Sequence, residues 1–288
     1  MTTIRETFLP DEGCVFVRCD LSQIEDRMCK MYCGTPRMVE IANRRPDVYD
    51  AHTDNACKIF KKTHAEIEAD KKAGGSLRYL GKKVVHGSQR GLRGVKMSES
   101  ISKDTDGKVF VHPAQCDKLI DVYLADAWEI PQIYFPWVEQ RVRDDRVLYT
   151  SWGRRLDLRY RRIDADLYRE AYSFYLQAEC ADWTNQYGFV PATYWMIGKY
   201  GRPLNAQVHD EIIASVPLLE SYEYARFVVD SMEQKREIPK GSGNWLCVPA
   251  DITVGRSWGD KKGVEFKKLP EKEEFYRELT KGGFFNAA

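Results

Sequence analysis

The chain has 288 residues, with 44 lysines and arginines against 43 aspartates and glutamates and a formal net charge of +1. That length supports a sizeable core, in one large domain or two smaller ones, and 43% apolar and 12% aromatic residues exclude a disordered chain. No apolar run approaches the ~18 residues that span a membrane, and the opening MTTIRETFLPDEG lacks the apolar core of a signal peptide and carries acids early, so neither a signal nor a transit peptide is expected. None of the eight cysteines forms a CxxC pair. Cys29 and Cys33 lie one helical turn apart with His52 and Cys57 further on, so reduced thiols are the main reading and a zinc site the lesser one.

CVFVRCD (14–20) is a short β-rich run ending on an acid. SQIEDRMCKMY (22–32) reads as a helix with Ser22 as cap, Glu25 completing a capping box, and Ile24, Met28 and Met31 as its apolar stripe. DAHTDNACKIFKK (50–62) is also helical, Gly74 and Gly75 break the chain, and a basic helix follows from about Leu77 to Val85. KDTDGKVFVHP (103–113) predicts a small hairpin around its DG turn signal. A long amphipathic helical stretch from Ala114 has breaks expected at Pro131 and Pro136. RVLYTSWGRRLDL (146–158) predicts strand, turn, strand, and the segment from Leu167 a long helix ended by Gly188. QVHDEIIASV (207–216) predicts a hairpin with His209, Asp210 and Glu211 near its tip. A helix over SYEYARFVVDSMEQK and a final strand with a tail in VPADITVGRSWGD complete an α+β chain.

Three constellations stand out. Asp20 and Asp210 each sit where a β-rich run ends or turns. On adjacent strands two carboxylates repel unless cations lie between them, and Mg²⁺ suits such a site; two unrelated surface acids remain the alternative. Arg78, Lys82, His86 and Arg90 recur every four residues, one cationic stripe on a helix. Residues 58–96 hold eleven Lys/Arg against three Asp/Glu, which suits a triphosphate or a solvated basic face. Gly87 and Gly91 favour the first, since glycine permits close approach by a base or a backbone. SWGRRLDLRYRR (151–162) interleaves aromatic and basic residues, as a nucleic-acid contact or a charged, soluble hairpin would.

Taken in order, these pieces resemble the polymerase domain of family A DNA polymerases. DLSQIEDR (20–27) resembles the first acidic motif, Asp-Tyr-Ser-Gln-Ile-Glu-Leu-Arg; RYLGKKVVHGSQRG (78–91) resembles the fingers-helix motif, Arg-x3-Lys-x3-Phe-Gly-x2-Tyr-Gly; VHDE (208–211) matches the second acidic motif. Smaller echoes are DAHTDNACKIF, TSWGRR, and Arg169, Ser173 and Gln177 at four-residue spacing, with IRETFLP and VPADITVGRSWGD at either end. The resemblance implies a small antiparallel palm sheet flanked by helices and a mainly helical fingers subdomain. The expected division is palm over 1–33, fingers over 34–155 and palm again over 156–288.

The resemblance also implies roles. Asp20 and Asp210 would hold two Mg²⁺ ions, with the Leu21 carbonyl as a further ligand and Glu211 adjacent to them. Arg78 and Lys82 would grip the incoming dNTP, and Lys82 could protonate the leaving pyrophosphate. Gln23, Glu25 and His86 belong to the nucleotide site, with Glu25 rejecting ribonucleotides. His209 would lie near the primer end, and Arg169, Gln177, Arg90 and Arg154 would touch primer-template DNA. The implied reaction is two-metal nucleotidyl transfer to a primer 3′-OH, in replication or repair, in the cytoplasm of a bacterial or virus-infected cell.

The departures are informative. His86 stands for the usual Phe or Tyr, Arg90 for a Tyr, Asp26 for Leu and Leu21 for Tyr, and Glu179 for a small residue. Retained chemistry with altered selectivity is expected. The thumb and exonuclease that precede the first motif in the family are expected to be lacking, which implies half of a split polymerase with a separate thumb- or exonuclease-bearing subunit, with a minimal enzyme or a truncated one as alternatives. A non-catalytic DNA-binding scaffold is the competing class. A single-subunit RNA polymerase is disfavoured by Glu25, because an RNA enzyme must admit the 2′-hydroxyl.

Overall fold

In a computed structural model the described residues are 4–46 and 50–285. β1 (Cys14–Leu21) buries Val15, Val17, Cys19 and Leu21 on one face, the period of two that a half-covered strand requires. α1 (Ile24–Cys33) follows, with Ile24, Met28 and Met31 fully buried as the stripe predicts. It starts at Ile24 rather than beside Ser22, and Gln23 takes a left-handed φ of 56°. The expected capping box is therefore replaced, and the Glu25 carboxylate goes to Arg90 and His86.

α2 (Pro36–Ala42) is short. α3 (Ala51–Phe60) begins where Asp50 accepts from the His52 and Thr53 amides, and α4 (His64–Lys72) where Thr63 and Glu66 form a capping box. α5 (Leu77–Gln89) runs on past Val85. α6 (Gly94–Asp104) reaches into the region read as a hairpin, and no strand forms over 103–113. Asp106 and Gly107 both take positive φ there, but the Gly107 amide returns to the Ser102 carbonyl. The turn signal thus closes a helix instead of joining strands.

α7 (Pro113–Asp126) ends at Ala127, ahead of both prolines. Pro131 and Pro136 sit in the first turns of the next pieces, a π-helical turn (Ile130–Tyr134) and α8 (Phe135–Asp144), where a missing N–H is no loss. β2 (Val147–Tyr149) and β3 (Arg155–Asp157) form the expected antiparallel hairpin. α9 (Ala165–Trp183) does not stop at Gly188. A π-helical segment (Thr184–Phe189) carries it into α10 (Val190–Tyr200), and Gly201 at φ 69° ends the run. Gly188 is small because a Cβ there would meet Met232 Cε at 3.3 Å.

β4 (Ala206–Val208) and β5 (Glu211–Pro217) make the HDE hairpin, followed by α11 (Ser221–Met232). β6 (Lys235–Glu237) and β7 (Trp245–Cys247) form a small ribbon. β8 (Ala250–Gly255) is not the final strand, since β9 (Val264–Phe266) pairs with it and α12 (Lys272–Lys281) comes after. The eight cysteines are free thiols, and no helix among the described residues is long and apolar enough to cross a membrane.

The chain divides into two compact units, residues 1–24, 180–236 and 247–288 in one, and 25–179 and 237–246 in the other. The first is built on an antiparallel sheet of order β4-β5-β1-β8-β9, as the α+β expectation required. α11 packs on β1, β5 and β8 and buries Tyr224, Ala225, Val228 and Met232. The second is mainly helical, with α3 against α5 and α6 against α7.

Gly81 on α5 is what lets α3 approach: a Cβ there would lie 2.8 Å from Ala56 Cβ and 3.0 Å from Ala56 Cα. Backbone cannot swing aside as a flexible side chain can. Gly81→Ala is therefore expected to destabilise by roughly 1–3 kcal/mol, read as a lower urea midpoint at unchanged slope.

Candidate active site

In the sheet unit, Asp20 stands at the end of β1 directly between Glu211 on β5 and Asp251 on β8. Residues opposite one another in an antiparallel ladder share a face, so three carboxylates form one row. The hairpin turn brings the fourth. His209 takes φ 60° at the tip, and the Leu21 amide donates to the Asp210 carbonyl at 3.2 Å, tying the end of β1 to the turn. The structure thus brings Asp20 and Asp210 together, with Glu211 alongside. The Leu21 side chain is fully buried, whereas His209 is exposed.

Cations and a ring frame this row. Arg18 lies 3.5 Å from Glu211, and the Trp258 indole N–H donates to Glu211 at 3.0 Å. Lys267 Nζ binds Asp251 at 2.7 Å and Glu265 at 2.5 Å. A cleft of about 400 Å³ opens here, lined among others by Asp20, Glu211, Asp251 and Lys267. Burial, and then the charges of Asp210, Glu211 and Asp251, push the Asp20 carboxyl up to about 7. The protein holds these acids closer than their mutual repulsion favours.

Hard oxygen donors crowded in this way fit a divalent cation. Among the described residues no three His, Cys, Asp or Glu side chains close into a cage. Mg²⁺ does not need one, since it keeps several waters and takes one or two carboxylates. Asp251 and Lys267 were invisible to sequence reading, because VPADITVGR shows a strand but not which strand it pairs with. Alternation within that run was the available signal for Asp251, and Lys267 lies past the segment read as the final strand with its tail.

In the helical unit, α5 presents the cationic stripe. Lys82 is exposed. Arg78 is engaged by Asp50 at 2.7 Å and by the Thr53 hydroxyl at 3.1 Å, so its guanidinium is positioned by α3. Arg90 and His86 converge on Glu25, Arg90 as a direct ion pair and His86 Nδ1 at 3.6 Å. Gly87 and Gly91, read as permitting close approach by a base or a backbone, each back onto a side chain of this unit. A Cβ at Gly87 would lie 2.3 Å from Met97 Cε, and Gly91 at φ 71° backs onto the Tyr172 ring.

Arg169, Ser173 and Gln177 follow one another along α9, with Gln177 exposed and Arg169 paired to Asp166. Arg154 is exposed in the β2–β3 turn. Glu179 is fully buried, accepting from the Tyr32 hydroxyl at 2.5 Å and the Ser151 amide at 2.7 Å.

Asp26 is likewise no casual replacement. It is 1% exposed, paired with the buried Lys30 and bonded by Gln89, which also reaches the Tyr123 hydroxyl. Asp26→Leu is expected to destabilise by about 3–5 kcal/mol, because it strands a buried ammonium. Thermal melts of that variant beside Asp26→Leu/Lys30→Met, which removes both charges and recovers much of the loss, check it.

The family model described as DNA polymerase family A matches residues 1–260. The chain belongs to DNA polymerase family A. This family A chain is 23% identical to a thermostable DNA polymerase I of Thermus filiformis over 267 residues, covering 90% of itself and 29% of the relative. To DNA polymerase I of Streptococcus pneumoniae (strain R6) it is 25% identical over 269 residues, covering 90% of itself and 28% of the relative. It therefore spans under a third of these relatives. Its fold is similar to the POL domain of Pol1 from M. smegmatis, solved in complex with DNA primer-template and dNTP, at a TM-score of 0.68 and 22% identity over 88% of this chain and 42% of that one. β9 and α12 lie beyond the residues that the family model matches.

Proposed function

We propose that this family A chain is the palm-and-fingers portion of a template-directed DNA polymerase, adding dNTPs to a primer 3′-OH with release of pyrophosphate. The observation that carries this reading is the carboxylate row, Asp20 flanked by Glu211 and Asp251 with Asp210 at the adjoining turn. Palm assigns to 1–33 and 156–288, fingers to 34–155.

Asp20 and Asp210, with the Leu21 carbonyl, are the donors for two Mg²⁺ ions; when bound, these supply charge neutralisation and activation of the attacking oxygen. Arg78, oriented by Asp50 and Thr53, and exposed Lys82 present positive charge to a triphosphate, and Lys82 is the proton donor to pyrophosphate. Glu25 crowds the sugar, and Gln23 and His86 contact the incoming nucleotide. His209, at the exposed hairpin tip, faces the primer end. Arg169, Gln177, Arg90 and Arg154 contact primer-template DNA. A separate thumb-bearing chain is the proposed partner, and the cytoplasm the proposed location.

Primer extension by the chain with Mg²⁺, four dNTPs and a primed template tests the reading, alone and with a thumb-bearing partner. Extension that chelation stops supports it. Template binding without extension under every condition would leave the scaffold reading in its place.

A further inference from the structure

The strand ladder of the sheet unit carries its charged row further than the proposed reaction uses. Glu211 on β5 stands opposite Asp20 on β1, and Asp20 opposite Asp251 on β8. One step past the last β8–β9 pair, Ile252 with Phe266, Lys267 continues the row and closes on Asp251 at 2.7 Å. The same ammonium lies 2.5 Å from Glu265, which stands opposite Thr253. Lys267 lies outside residues 1–260, the span that the family model matches.

Each acid beside Asp20 is held by a neighbour. Glu211 has Arg18 at 3.5 Å and the Trp258 indole N–H at 3.0 Å, and Asp251 has Lys267. Because the strand order is β1-β8-β9, Lys267 comes to Asp251 from the side away from Asp20. The Asp251 side chain is 14% exposed, so water offers its carboxylate little alternative. Residues opposite one another on antiparallel strands have Cβ atoms about 4.5–5.5 Å apart. Asp20 and Asp251 are therefore within joint reach of one cation. Mg²⁺ takes one or two protein carboxylates and leaves its other positions to water and substrate phosphates. A third carboxylate would hold the ion more tightly and fill a position that the phosphates need.

We propose that Lys267 is a positioning residue for the metal site: by binding Asp251 it keeps that carboxylate from joining Asp20 and Asp210 on a divalent ion. This role rests on the reading of Asp20 and Asp210 as the metal donors. It adds to that reading a cation supplied by the strand that follows the family-matched span.

Mn²⁺ binding to the full chain, followed by the electron paramagnetic resonance of the free ion without DNA or dNTPs, tests it. Lys267→Met should bind Mn²⁺ about tenfold more tightly than the wild type, and Lys267→Arg as the wild type does. Asp251→Asn/Lys267→Met should return to the wild-type affinity. Glu265→Gln/Lys267→Met has the same net charge and should stay tight, which separates ligation by Asp251 from a general change of field. In primer extension, alone or with the thumb-bearing partner, Lys267→Met should lower kcat about tenfold while needing less Mg²⁺ for half its maximal rate. Adding Asp251→Asn should recover most of that kcat. Melting curves establish that each variant is folded. Should Lys267→Met not fold, Asp251→Asn with Lys267 intact decides, since it should lose far less Mn²⁺ affinity than Asp210→Asn. Three results overturn the positioning role and leave the metal reading standing: an unchanged affinity in folded Lys267→Met, restoration by Glu265→Gln as complete as by Asp251→Asn, or a loss in Asp251→Asn as large as in Asp210→Asn. A wild type that binds no Mn²⁺, or an Asp210→Asn that binds it equally well, removes the metal reading and the role with it.

Discussion

Asp210→Asn is expected to lower Mg²⁺-dependent primer extension by at least ~10²–10³-fold, the scale set by losing several kcal/mol of charge stabilisation in the transition state. The same substitution should stabilise the metal-free protein. The Asp20 carboxyl is raised from 3.8 to about 7, by burial first and then by Asp210, Glu211 and Asp251. A folded value above the unfolded one means that the folded chain binds this proton more tightly. The group therefore opposes folding increasingly as pH climbs from about 4 to about 7, and fully above that. Removing the Asp210 charge eases this, so the variant in chelator should melt above the wild type at pH 8 and approach it near pH 4. Mg²⁺ should raise the wild-type melting temperature and do little for the variant, because an ion stabilises only the state that binds it. His52 works in the opposite direction. Burial, resisted by Asp26, depresses its value to about 3, so its contribution is lost as pH falls below about 6.5. Comparing variant with wild type at each pH cancels it. A variant that extends primers normally, or that melts lower at pH 8, would remove Asp210 from the metal site.

Legibility followed the range of the interactions. Ile24, Met28 and Met31 were readable because a helix stripe repeats locally, and the HDE hairpin because its turn lies between two apolar runs. The carboxylate row was half readable. Motif order brought Asp20 and Asp210 together, but only strand register puts Asp251 beside Asp20. Turn residues misled where one local signal has two uses. Asp106–Gly107 closes a helix as readily as it joins strands, and Gly188 continues a helix because Met232 needs the space. Replacements that looked like losses of specificity proved to be paired. Asp26 answers Lys30, and Glu179 answers Tyr32 and Ser151. Glu179 meets partners far off in the chain, whereas Asp26 and Lys30 lie four residues apart on α1, and what their spacing does not show is that both are buried.

The Glu25 cluster makes the second large effect, and two substitutions divide it. Glu25 is 9% exposed. Burial alone would raise its carboxyl, but the His86 hydrogen bond and the Arg90 charge outweigh that and hold it at about 2 against an ordinary 4.5. A depressed acid stabilises the fold at pH above about 4.5 and loses that contribution as pH falls towards 2, on the order of 3 kcal/mol in all. Glu25→Gln keeps the bulk and gives up the charge, so it should lose stability at pH 7 while still excluding a 2′-hydroxyl. Glu25→Ala gives up both and should relax discrimination against ribonucleotides by roughly 10–200-fold, the range for a steric difference of this size. Arg90→Ala tests the link between them: with the guanidinium gone Glu25 loses its direct ion pair, its carboxyl should titrate higher, and acid unfolding should begin at higher pH. The measurements are kcat/KM for each rNTP and dNTP pair and acid-unfolding midpoints on the same proteins. If Gln relaxes sugar selectivity as much as Ala does, bulk at position 25 is not the discriminator, and the charge held by Arg90 and His86 is.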